Sequence, residues 1–195
     1  LLPEETLTTE YNTPHSGEYE WWSGSADNLN NTLGREIDLT GATSASVTAQ
    51  VATDIEAGYD FLYTEVSTDG GATWEEVAVT DGGDLSWNAV TTDLSAYAGS
   101  TIQFRWRYQT DGGVSQPGAF IDDIEITVDG SPVLTDDVEN GDNGWTADGF
   151  TRMTGSTSEQ VQSYYLAENL VYSGYDKNLK TGPYNFGFSD RPDWV

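Results

Sequence analysis

The side chains of this sequence that could do chemistry are overwhelmingly acidic, and the most informative of them lie in "AFIDDIEITVDG", residues 119–130. If a strand carries Ile124, Ile126 and Val128 inward, alternation turns Phe120 and Asp122 inward with them and Asp123 and Glu125 outward. An ionised carboxylate beneath an apolar sheet is costly unless it is paired or binds a metal. Calcium suits such a position, because it takes roughly six to eight oxygen ligands, backbone carbonyls included. Asp27 in "WWSGSADNLN" and Asp60 in "GYDFLY" are the expected companions of Asp122. The competing reading of Asp122 is an ion pair with Arg105 or Arg107, or hydrogen bonds from turn amides.

Other chemistries lack their residues. A hydrolytic zinc site needs two or three His or carboxylate ligands, usually with His at i and i+4 of a helix. The chain has one histidine, His15, and no such helix, so no zinc site is expected and His15 reads as a loop residue. No cysteine is present, which excludes disulfides and thiolate sites, and no glycine-flanked GxSxG elbow occurs. The doublets Glu75-Glu76, Asp122-Asp123 and Asp136-Asp137 suggest a glycosidase pair only superficially. Neighbours on a strand face opposite ways and do not bracket one sugar bond.

Aromatic side chains offer a binding reading. Tyr19, Trp21 and Trp22 in "YEWW", and "YNFGF" at 184–188, could present flat platforms to sugar rings. Packing into a core or against another domain is the expected role of both groups.

The elements that must position these residues are strands. In "TIQFRWRY" (101–108), Ile102, Phe104, Trp106 and Tyr108 alternate with polar residues, as on a strand with one face on a core. "SVTAQVA" alternates Val47, Ala49 and Val51, and "REIDL" sets Ile37 and Leu39 against Glu36 and Asp38. Asp-Gly, Asn-Gly and Gly-Gly pairs between such runs supply the residues that tight turns require. The pattern predicts an all-β, antiparallel sandwich. "STDGGATW" (67–74) reads as a hairpin of the Asp-box type, with Asp69 bonding turn amides, Gly70 and Gly71 turning the chain, and Trp74 packing beneath. That role is structural. Beyond about residue 130 the chain is turn-rich and acidic, "EQVQSYYLAENLVY" suits a strand or a short helix, and "KTGPYNFGFSDRPDWV" suits a surface loop.

Charge bounds the partners. With 33 acidic and 7 basic residues the formal charge is −26, spread along the chain, so nucleic acid and anionic lipid are repelled. Self-repulsion of this size is relieved by salt or bound cations, which points to a saline habitat, with an ordinary acidic secreted protein as the alternative. No run approaches the ~20 apolar residues of a membrane helix. No basic start with an apolar run marks a signal peptide, as expected of a mature, exported chain.

Several stretches together, "EWWSGSADNLNNTLGREIDLTGA", "DIEAGYDFLYTEVSTDGGATW", "DLSAYAGSTIQFRWRYQTDGG", "GAFIDDIEI", and "GDNGWTADGF" followed by "YYLAEN" and "GYDKNLKTGPYNFGF", resemble the region downstream of the catalytic domain in the immune inhibitor A family of secreted zinc metallopeptidases. The resemblance runs from about residue 15 to 188. It implies a jelly-roll sandwich similar to MAM domains over residues 15–130, in which "FIDDI" sets an aspartate beside a structural calcium. Residues 1–14 would be an extension. Residues 131–195 would be a smaller β segment packing on the sandwich or opening a second domain. The family's HExxH zinc helix has no counterpart here, and the chain ends at "SDRPDWV", before the strands with which the family's module continues. The expected role is a secreted, non-catalytic accessory module that braces the catalytic domain of its parent or holds protein substrate near it. A self-assembling adhesive module and a carbohydrate-binding module are the alternatives.

Overall fold

The computed structural model describes residues 3–162. By its internal packing the chain divides into two units, Thr8–Glu159 and a smaller one made of Leu1–Leu7 with Gln160–Val195. In the smaller unit, the Gln160 side-chain amide donates to the Thr6 hydroxyl at 2.7 Å. "YNFGF", most of "EQVQSYYLAENLVY" and the rest of the C-terminal stretch lie outside the described residues.

Among the described residues, thirteen strands and one 3-10 turn at Ser95–Tyr97 account for the regular structure, and no α-helix occurs. They are β1 (Glu4–Glu10), β2 (Glu20–Trp22), β3 (Asn30–Asp38), β4 (Ala45–Asp54), β5 (Phe61–Ser67), β6 (Glu75–Thr80), β7 (Asn88–Asp93), β8 (Thr101–Gln109), β9 (Gly118–Val128), β10 (Ser131–Asp136), β11 (Thr146–Asp148), β12 (Thr151–Met153) and β13 (Ser156–Gln162). One sheet runs β12-β2-β9-β4-β7, with β10 also on β9. The other runs β11-β3-β8-β5-β6, and β1 pairs with β13 in a ribbon. Among the described residues the strand ladders of both large sheets are antiparallel. The fold is an all-β sandwich.

Alternation explains how the layers meet. On β8, Ile102, Phe104, Trp106 and Tyr108 are buried and the residues between them are not. Val47, Ala49 and Val51 of β4 face them from the opposing sheet, with Leu33 and Ile37 of β3 and Leu62 and Val66 of β5 in the same core. Each such aliphatic side chain contributes about 1.5–3 kcal/mol by leaving water. Phe104 meets Trp106 edge-on at 4.8 Å, and Trp106 lies 5.3 Å from Trp145, which the turn before β11 delivers into the core.

The compact unit does not end near residue 130. β10 continues on β9, β11 lengthens one sheet beside β3, and β12 lengthens the other beside β2. These strands are short and lack a long alternating run, so composition alone reads them as a join.

The β5–β6 hairpin is held by side chains. Asp69 Oδ1 accepts from the Thr73 amide at 2.9 Å and the Ser67 hydroxyl at 2.7 Å, and Asp69 Oδ2 accepts from the Thr73 hydroxyl at 2.7 Å. Gly70 and Gly71 take φ of 73° and 92°, the left-handed region that a side chain resists. Trp74 donates its indole N–H to the Gly71 carbonyl at 3.1 Å, and the Arg105 guanidinium stacks 3.7 Å over its ring.

Candidate metal centres

Strand β9 carries one residue more than its partner. Thr48 pairs with Glu125 but Gln50 with Asp122, so Asp123 and Ile124 together face the single residue Ala49. Asp123 absorbs the extra step with φ of 44°. The bulge resets parity: Ile121 and Ile124, three apart, both enter the inter-sheet core. Phe120 instead joins Ala52 and Met153 in a separate cluster with Tyr11, Trp22, Leu85 and Trp87. The expectation that Phe120 and Asp122 share the inward face of Ile124 is therefore corrected. Asp122 points to the other face of the sheet and is covered there by the segment at residues 11–17.

Glu20 stands beside it. Trp21 pairs with Ile121 and Trp22 with Phe120, and the same register sets Glu20 opposite Asp122. Both carboxylates are fully buried. Asp122 accepts from the Asp123 amide at 2.7 Å and the Ser16 amide at 3.0 Å. Glu20 Oε2 accepts from the Asn12 side-chain amide at 3.3 Å, while its Oε1 is buried without a hydrogen-bond partner. Burial first, and then the Asp122 charge, push the Glu20 carboxyl up to about 8. Burial raises Asp122 to about 6, against the Ser16 and Asp123 amides that lower it. Two facing buried carboxylates, one with an orphaned oxygen, fit a hard cation held by oxygen ligands. Arg105 and Arg107 do not serve Asp122: they share Glu65, at 2.7 and 2.8 Å. His15 caps the same region from outside, its Nδ1 2.6 Å from Asp123 Oδ2.

A second acidic group lies elsewhere. Glu56, Asp60 and Asp111 each offer a carboxylate oxygen within 4.8 Å of the others, a set that could hold a metal ion. Glu56 and Asp60 close the turn after β4, where the Asp60 amide donates to the Glu56 carbonyl at 2.9 Å. Asp111 follows β8, and its amide donates to Asp60 Oδ1 at 3.1 Å. Asp60 is 1% exposed.

The aspartates expected together are thus separated. Asp60 lies in the second group, Asp122 faces Glu20, and Asp27 belongs to neither set, being exposed and accepting from the Ser115 hydroxyl at 2.7 Å. Glu20 was hidden from sequence reading, although its alternation with Trp22 was the available signal. Glu56 and Asp111 come from loops and carry no periodicity.

Tyr19, Trp21 and Trp22 form no exposed platform. Trp21 is 2% exposed within the inter-sheet core. Trp22 donates to the Pro117 carbonyl at 2.8 Å and packs on Tyr11 at 4.8 Å. Tyr19 lies under the Arg152 guanidinium at 3.5 Å. Their role is packing, because strand alternation gives Trp21 and Trp22 opposite faces and each face is covered.

Residues 1–155 match the family described as immune inhibitor A-like, MAM domain. Immune inhibitor A of Bacillus thuringiensis subsp. alesti is 33% identical over 201 residues, covering 95% of this chain and 28% of the relative. The pre-pro-metalloprotease PrtV of Vibrio cholerae serotype O1 is 28% identical over 178 residues, covering 85% of this chain and 19% of the relative. Bacillopeptidase F of Bacillus subtilis is 29% identical over 125 residues, 62% of this chain and 9% of the relative. The chain therefore spans under a third of the length of each of these relatives. The chain belongs to the immune inhibitor A-like MAM domain family.

Proposed function

We propose that this chain is a non-catalytic accessory domain of an exported metallopeptidase, that calcium held by Glu20 and Asp122 stabilises it, and that it braces the catalytic domain of its parent. The observation carrying the calcium assignment is the pair itself: two buried carboxylates face each other and one oxygen has no donor. Calcium would supply the missing positive charge and would join β2 and β9 to the covering segment at residues 11–17. Bracing follows from rigidity. A sandwich locked on both faces presents its loops in fixed positions, as a scaffold for a neighbouring domain or for protein substrate must.

The family assignment supports the peptidase parentage, and the family's relatives include two proteins named as metalloproteases or immune inhibitor A. No described helix is long and apolar enough to cross a membrane, which is compatible with export. The charge of −26 suits a milieu of high ionic strength, where self-repulsion is screened.

The test is made on the parent open reading frame. A peptidase domain encoded with this segment, whose secreted activity and melting temperature fall when the segment is deleted and fall also when Glu20→Gln or Asp122→Asn is introduced into the intact parent, is the expected result. A parent without a peptidase domain, or one whose activity and stability ignore the deletion, overturns the reading.

A further inference from the structure

The group Glu56, Asp60 and Asp111 is independent of the Glu20–Asp122 centre and of the peptidase parentage. Its ligands come from two connections, the turn between β4 and β5 and the loop between β8 and β9, which sit at one end of the sandwich. Acidic groups on a surface usually stay apart and solvated. Here the three carboxylates converge within 4.8 Å, and none takes part in an ion pair among the described residues.

Asp60 is the anchor. It is buried, one oxygen accepts the Asp111 amide, and the other, Oδ2, is sealed from water with no hydrogen-bond partner. A buried carboxylate oxygen without a donor is an expensive arrangement unless a cation completes it. The surrounding groups do not supply one.

We infer that Glu56, Asp60 and Asp111 form a second calcium site, which ties the β4–β5 turn to the β8–β9 loop. The donor set is all hard oxygen, which favours calcium over softer metals. Its graded exposure, from buried Asp60 to exposed Asp111, leaves room for water and a carbonyl to complete the shell. Occupancy would also order the segment around Asn28, whose amide donates to the Asp111 carbonyl at 2.6 Å.

Equilibrium dialysis of the whole chain against calcium, after exhaustive chelation, reads the stoichiometry directly. Two ions per chain are expected. Asp60→Asn removes one of them, and Asp111→Asn or Glu56→Gln weakens that one by about tenfold or more. Asp122→Asn removes the other ion and leaves this one in place. Asp111 is exposed, so its variant folds even where Asp60→Asn does not, and circular dichroism confirms the fold of each. A single ion lost in Asp122→Asn but kept at full affinity in Asp60→Asn and Asp111→Asn overturns the second site alone. Loss of one ion in Asp60→Asn with no effect of Asp122→Asn supports it and removes the other centre instead. No bound ion at all removes both.

Discussion

Glu20 and Asp122 oppose each other across β2 and β9, both without solvent exposure, two residues along each strand from the packed pair Trp22 and Phe120 and on the same face. Two acids and two aromatics thus share one covered face. The aromatics are held by burial, whereas the acids need either protons or a cation, and that difference is measurable.

In chelator, protons must do the work. Folding raises Glu20 to about 8 and Asp122 to about 6, so the native state binds more protons than the unfolded chain between the ordinary carboxylate range and those values. Stability of the metal-free protein then falls as pH rises from about 5 to 8. Excess calcium needs the ionised forms, so it flattens or reverses that slope. Calorimetry at several pH values, with calcium and with chelator, checks this. Coincident curves would remove the centre.

At the acid end the hairpin gives the opposite sign. The Thr73 hydroxyl and amide, then the Ser67 hydroxyl, hold Asp69 down at about 2. Its contribution is complete above the ordinary carboxylate range and is lost as pH falls toward 2. Asp69→Ala should lower the melting temperature at neutral pH, flatten the acid limb of the stability profile, and leave calcium stoichiometry untouched.

Glu65 holds two arginines on the outer face of β5 and β8. Burial tends to raise its carboxyl, but the hydrogen bonds and charges of Arg107 and Arg105 outweigh it and the net shift is downward. Glu65→Gln should cost about 1.5–3 kcal/mol, the worth of hydrogen bonds to a charged group. The loss is bounded because Arg105 keeps its place over Trp74 and Arg107 lies 4.3 Å over Tyr63. Urea denaturation measures it.

Neighbouring residues of β9 separate the two faces of that sheet. Phe120→Ala should destabilise by about 3–5 kcal/mol and weaken calcium at the adjacent Asp122, since it empties the cluster beneath the covering segment. Ile121→Ala should destabilise by about 2–5 kcal/mol through the inter-sheet core with little effect on calcium affinity. Paired unfolding and calcium titrations distinguish the two.

Salt should act through the net charge. A melt from low to molar sodium chloride is expected to rise steadily, and the rise should be smaller when calcium is saturating, because bound cations already relieve part of the repulsion. A flat series would remove the saline reading.

Alternation made β8 and β4 legible, because period two survives wherever one face meets a core. It failed at Asp123. A bulge on a non-glycine residue leaves no mark in the sequence, and one added residue was enough to send Asp122 to the other face. The Asp-box spacing of Ser67, Asp69, Thr73 and Trp74 could be read because all its bonds are local. The metal ligands could not be grouped, because register across strands and loop geometry decide which aspartates meet. β11 and β12, at three residues each, are too short to show a period.

Along one side of β9 the partner changes, with β2 pairing Phe120 and Ile121 and β10 pairing from Ile124 onward, and the changeover falls at Asp122 and Asp123. A cation gripping Glu20 and Asp122 would therefore pin a splice between two strand ends. Stripping it should loosen both ends together, so amide exchange ought to accelerate in β2 and the end of β10 as one cooperative block while β8 stays protected.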